Sequence, residues 1–146
     1  MVNYFRWLIQ DQVIYYRIIG EVSSDDIYPV DAYMNARMDE SPADKVHLVI
    51  DSTLMTVLPN VPTTMRLTYL RHPKLGTVVT NERSPVESFI FNTIGKVFKL
   101  SYRFVKNWDD ALRFLRENDD TLPPMDVLHQ RLQLVQQETL QEHQHN

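Results

Sequence analysis

The sequence predicts an α/β domain built on a mostly parallel sheet. Three observations carry this prediction. Short β-branched and aromatic runs alternate with helical runs along most of the chain, and strands alternating with helices imply parallel pairing with right-handed crossovers. Residues 45–50, Lys-Val-His-Leu-Val-Ile, are apolar almost without a break, which suits a strand covered on both faces. The first two strands are separated only by Gln10-Asp11-Gln12, a hairpin spacing that adds one antiparallel strand.

The elements follow in order. Tyr4 to Gln10 and Val13 to Ile19 are rich in aromatic and β-branched residues and read as strands. On the second, Ile14, Tyr16 and Ile18 share one face. Val13, Tyr15, Arg17 and Ile19 share the other, where Arg17 needs an exposed or paired position. Ser23-Ser24-Asp25-Asp26 opens a helix, since short oxygen-bearing side chains and acids suit a helix N-terminus. Ile27, Val30, Met34 and Met38 follow at helical spacing, and the helix should stop before Pro42. The central strand ends in Asp51, an irregular stretch covers Ser52 to Asn60, and Asn60 caps a helix carrying Met65, Leu67, Tyr69 and Leu70. A short strand runs from Thr77 to Thr80. Ser84-Pro85-Val86-Glu87 combines a capping box with proline at the first helical position. Phe89, Ile90, Thr93, Ile94 and Val97 are expected to form that helix's buried stripe. Tyr102 to Val105 is a last strand, and Asn107 caps a helix with Ala111, Leu112 and Leu115 inward. Pro123-Pro124 then introduces a final helix with Met125, Leu128, Leu132, Val135 and Thr139 on one side. Residues 141–146 form a polar tail expected to fray.

Composition bounds the chemistry. The chain has 146 residues and no cysteine, which excludes disulfides, thiolate metal sites and cysteine nucleophiles and fits a cytoplasmic location. The N-terminus does not read as a signal peptide, and no apolar run approaches membrane-spanning length. The net charge of −4 argues against general nucleic-acid affinity. Charge is uneven: residues 66–116 carry 10 basic and 4 acidic side chains, while both flanks are acidic. That basic middle could meet an acidic partner or a phosphate, or be an ordinary solvated surface.

The element order and the stretches Leu48 to Thr53, Leu70 to Thr80 and Phe104 to Leu115 resemble the STAS-like (SpoIIAA-like) family. The resemblance covers roughly residues 4–118. It implies a SpoIIAA-like mixed, mostly parallel sheet covered by helices, and relatedness to anti-sigma-factor antagonist domains. More distantly, such domains are compared with CRAL-TRIO lipid-binding folds. Antagonists of the family carry an Asp-Ser-Ser-Gly stretch whose serine is phosphorylated at a helix N-terminus. Here Asp51-Ser52-Thr53 has no following glycine, and Leu58-Pro59-Asn60-Val61-Pro62-Thr63-Thr64 stands where that serine would fall. Thr63 or Thr64 could substitute, or could simply occupy the first helical turn.

Residues 1–120 are therefore expected to form the SpoIIAA-like domain and residues 121–146 a helical extension. Neither a nucleophile elbow nor a phosphate-cradling glycine loop can be built from Gly20, Gly76 and Gly95. His143 and His145 are the only close histidines and lie on the tail, so no metal site and no cofactor are expected. His47, inside a strand, reads as a satisfied core histidine. The ligand- or partner-binding edge is placed at the C-terminal ends of the parallel strands, with Asp51, Ser52, Thr53, Asn60, Thr80, Asn81 and Glu82, because crossover loops leave a crevice there. Asp51 is a base if Glu82 approaches it, or merely a turn cap. Leu128, Leu132 and Val135 have coiled-coil spacing, so the last helix is expected to form a homodimer, with folding back as the alternative. The leading functional expectation is a non-enzymatic regulatory or protein-binding module. The alternative is a carrier of a hydrophobic small molecule or lipid. A closed apolar cavity would favour the carrier, and an exposed patch near Asn60 would favour the protein partner.

Overall fold

A computed structural model describes residues 2–57 and 60–145. Leu58 and Pro59, part of the loop where the resemblance would place a phosphorylated serine, lie outside them, as does Asn146 of the tail. The chain runs β1 (Val2–Ile9), β2 (Val13–Glu21), α1 (Ile27–Glu40), β3 (Val46–Val57), α2 (Val61–Thr64), β4 (Leu75–Asn81), α3 (Pro85–Phe98), β5 (Ser101–Val105), α4 (Trp108–Asn118) and α5 (Met125–Gln144). Single 3-10 turns occur at Ser24–Asp26 and Tyr69–Arg71.

The five strands form one sheet in the order β1-β2-β3-β4-β5. The β1–β2 hairpin is antiparallel and the other pairs are parallel. Asp11, at φ 65°, makes the hairpin turn, a conformation that aspartate tolerates better than most residues. Strand periodicity sorts the side chains onto two faces. Ile14, Tyr16, Ile18, Leu48 and Val78 face α1 and α3 and join Val30, Met34, Met38 and Ile94 in one core. Leu8, Val13, Tyr15, Val49 and Val79 face α4 and α5 and form a second core with Leu112 and Leu115.

Three expectations are corrected. The stretch from Ser52 is not irregular: β3 continues to Val57 because β2 extends beside it, pairing Ile19 with Leu54, Gly20 with Met55 and Glu21 with Val57. The helix expected after Asn60 breaks into α2 and a 3-10 turn, because the Asp31 carboxylate of α1 accepts the Thr68 and Tyr69 N–H groups at 2.8 Å each. On α3, Phe89 and Val97 are 72% and 57% exposed, and only Ile94 and Gly95 are fully buried.

α5 also departs from expectation. It remains helical to Gln144, through most of the tail expected to fray. Leu128, Leu132 and Val135, expected as a self-association seam, are at most 3% exposed and belong to the second core of their own chain. The Arg131 guanidinium donates to the Leu8 and Trp7 carbonyls of β1. Arg6 of β1 pairs with Glu142. The seam is thus filled intramolecularly, and Leu122 and α5 share a core with the preceding elements.

Candidate functional site

The residues expected at the strand edge fall on opposite sides of the sheet. Asp51 lies two residues beyond Val49, so it shares the α5-facing side of the pleat, and it is fully buried. Its Oδ2 accepts from the Tyr15 hydroxyl at 2.5 Å and from Arg17 Nη2 at 2.9 Å. Its Oδ1 accepts the Thr53 N–H at 3.1 Å and the Thr53 hydroxyl at 2.6 Å. Arg17 Nη1 donates to the Gln136 carbonyl of α5 at 3.3 Å. Both carboxylate oxygens are occupied, and no open side remains for a substrate.

The charge state follows from these contacts. Burial pushes the Asp51 carboxyl up, but hydrogen bonds from Thr53 and Tyr15 and the Arg17 guanidinium overcome it, and the group sits below the usual carboxylate range. Burial first, then the neighbouring Asp51 charge, pushes the Tyr15 hydroxyl well above its ordinary value. Asp51 is therefore an ionised group whose oxygens are already engaged by Tyr15, Arg17 and Thr53. Glu82, the expected second carboxylate, lies exposed past β4, with its N–H on the Val105 carbonyl, and is not among the partners of Asp51.

Ser52 points the other way. Its N–H and hydroxyl donate to Asn81 Oδ1 at 2.8 and 3.0 Å, tying β3 to the end of β4. Beyond it, Arg83 donates to the Ser52 carbonyl at 2.7 Å and also to the Met55 carbonyl, which sets the start of α3 beside the β3 extension. Asn60 caps α2 by accepting the Thr63 N–H at 2.7 Å.

Ser52 and Thr80 open onto a feature the sequence did not reveal. Between the sheet and α1, α2 and α3 lies a cavity of about 120 Å³. Ile18, Ile50, Met55, Leu67, Val78 and Phe91 are among its walls. Gly95 helps shape it: a Cβ there would stand 2.3 Å from the Tyr102 ring, so glycine lets α3 approach β5 at this point. Tyr69 also lines the cavity, and its hydroxyl makes no hydrogen bond among the described residues. Burial, with the nearby Asp31 charge, pushes that hydroxyl well above its ordinary value and keeps it protonated.

No family model matches the sequence, and no curated protein matches it. Solved structures match it by fold. An uncharacterised protein of the DUF3478 family, described as having a SpoIIAA-like fold and coming from Shewanella loihica PV-4, superposes with a TM-score of 0.59 at 12% identity, over 78% of this chain and 92% of that one. The Bacillus cell fate determinant SpoIIAA, in its phosphorylated form, superposes with a TM-score of 0.55 at 10% identity, over 77% and 99%. This chain has a SpoIIAA-like fold.

Thr63 and Thr64 are the hydroxyls that the sequence resemblance offered in place of a phosphorylated serine. Both are buried. The Thr64 hydroxyl donates to the Asn60 carbonyl at 3.0 Å, so both serve as first-turn residues in this conformation. The other expectations can also be placed. His47 Nδ1 accepts the Thr77 N–H at 2.9 Å, and its Nε2 meets Asp119 at 2.7 Å, the contacts of a satisfied core histidine. Among the described residues, no three His, Asp or Glu side chains gather where they could hold a metal ion, and no helix is long and apolar enough to cross a membrane.

Proposed function

We propose that this chain is a non-enzymatic binding module that holds a small hydrophobic molecule between its sheet and helices α1–α3. The observation that carries the reading is the apolar cavity of about 120 Å³. An apolar cavity of about 150 Å³ stays dry and accepts a benzene-sized guest, so this one suits a single ring or a short branched chain. The free Tyr69 hydroxyl would take one polar group of that guest. The saturated Asp51 site supports the non-enzymatic part, since a general base must reach its substrate.

The test is native mass spectrometry of the chain purified from its own host, beside Val78→Phe, which puts a ring into the cavity from β4. The parent should carry a retained mass that organic extraction removes, and the folded variant should carry none. Both proteins flying at their bare mass, under conditions that preserve non-covalent complexes, would sink the reading.

A second reading, a regulatory module that binds a protein, has its own support. Leu54, Val57, Val61, Val86 and Phe89 are all large, apolar and exposed. They lie on the β3 extension, on α2 and at the start of α3, with Val61 next to Asn60 in the chain. Scattered exposed apolar residues are ordinary, but a contiguous patch marks an interaction surface. The same spectra would reveal a co-purifying protein, and Phe89→Ser should release it without altering the retained small molecule.

A further inference from the structure

At the opposite edge of the sheet, where β3, β4 and β5 begin, lies a cleft of about 430 Å³. Lys45, Arg71, His72, Phe98, Lys99 and Ser101 are among its walls, and no aspartate or glutamate lines it. We propose that this cleft binds a small organic phosphomonoester.

Three cations line the cleft and no carboxylate does. Arg71 and Lys99 come from the basic segment 66–116, and the fold adds Lys45 from the acidic first part of the chain. Among the described residues, neither Arg71 nor Lys99 has a carboxylate within ion-pair distance, whereas Arg6, Arg17, Arg83 and Arg113 all do. The Lys45 ammonium donates to the Pro73 carbonyl at 2.8 Å and keeps its other donors. Two carboxylates pair with the cleft's histidines without lining it. Asp119 is held at 2.7 Å by His47 Nε2, and Asp39 at 2.7 Å by His72 Nε2. Gly76 makes the first arrangement fit, because a Cβ there would lie 2.5 Å from His47 Nδ1.

The geometry favours a phosphate on an organic body. The Arg71 guanidinium lies 4.4 Å over the Phe98 ring. Stacking fixes its plane and leaves its edge donors for an oxyanion, which the guanidinium fork can take in bidentate fashion. Three cations suit a dianion better than a carboxylate. The cleft is also larger than a phosphate needs, and Leu70, Leu75 and Leu100 supply apolar wall for the rest of the molecule.

Lys99 adds a separate indication. It ends α3 at φ 56°, ψ 43°, in the left-handed region, where helices usually place glycine. Its N–H meets the Gly95 and Lys96 carbonyls, and the Leu100 N–H meets Gly95 as well. The helix end is thus capped by backbone, and a lysine side chain is not needed for that purpose. The competing explanation is that the cations merely offset the negative ends of helices at this edge.

Amide NMR titration at low salt separates the two, with phenyl phosphate, inorganic phosphate and benzoate as probes. Phenyl phosphate should give saturable shifts at Thr77, Lys99 and Ser101. Inorganic phosphate should bind more weakly, and benzoate should not saturate. Arg71→Ala and Lys99→Gly should each weaken phenyl phosphate by about tenfold. Lys99→Gly should fold at least as well as the parent, since glycine accepts the left-handed conformation. Val78→Phe, which fills the neighbouring apolar cavity and does not line the cleft, should bind as the parent does. No saturable shift at millimolar phenyl phosphate would overturn the proposal. So would full affinity in both cation variants, or equal binding of benzoate.

Discussion

Asp51 illustrates how a residue's position in a strand fails to predict its task. In sequence it follows an apolar run, where α/β sheets present ligand-facing groups. In space, β2 lies alongside and Arg17 pairs with Asp51 across the ladder, while α5 covers both. The pair is almost wholly buried, so removing one partner leaves a charge without compensation. Asp51→Asn should cost about 3–5 kcal/mol, whereas the double change Arg17→Met with Asp51→Leu should recover most of that loss. The pH dependence has a definite sign. Because the folded carboxyl lies below its ordinary value, its contribution is fully present above the unfolded value of about 3.9 and fades as pH falls through the folded one. Urea unfolding from neutral pH into acid should show the parent losing stability where Asp51→Asn stays flatter. Equal midpoints for parent and Asp51→Asn at neutral pH would contradict the buried-charge account.

At the scale of elements, local signals were legible and partners were not. The capping side chains are local: Ser84 accepts from the Glu87 N–H at 3.2 Å and Asn107 from the Asp110 N–H at 2.9 Å, as their spacing implies. The hairpin and the apolar central strand were equally readable, because pleat and turn depend on neighbouring residues. Asp51 with Arg17 was not readable as a pair, since their contact depends on strand register. Nor could an apolar stripe reveal what covers it. The stripe of α3 looks buried in sequence yet leaves Phe89 exposed, while that of α5 looks intermolecular yet packs on its own sheet. Leu132→Asp decides the role of α5. With Leu132 in the second core, the change buries a carboxylate without a partner and should abolish cooperative unfolding. If the variant were instead folded and monomeric while the parent sedimented as a dimer, the seam would be intermolecular.

The whole molecule is unevenly packed across its sheet. On the α4–α5 side, Leu8, Val13, Tyr15, Val49, Leu112, Leu115 and Leu128 are at essentially zero exposure, and Arg131 and Arg6 bind α5 to β1. On the other side, α1 buries Met34 and Met38 completely, but α3 lies over a cavity and fully buries only Ile94 and Gly95. Tight packing gains dispersion contacts that a void lacks, so local opening should be easiest where the void is. Segments with few buried contacts open well below the global unfolding free energy. Native-state hydrogen exchange should therefore find the amides of α3 exchanging through a low-energy opening, while those of β2, β3 and α5 await global unfolding. The two sides should also respond differently to a ligand. A guest in the cavity binds the closed form and stabilises it by mass action, so α3 should gain protection selectively, with phenyl phosphate at the far edge serving as a control that leaves the first turns of α3 unchanged. Protection of α3 equal to that of α5 in the ligand-free chain would show that the cavity does not weaken this side, and that the sheet is held equally on both faces.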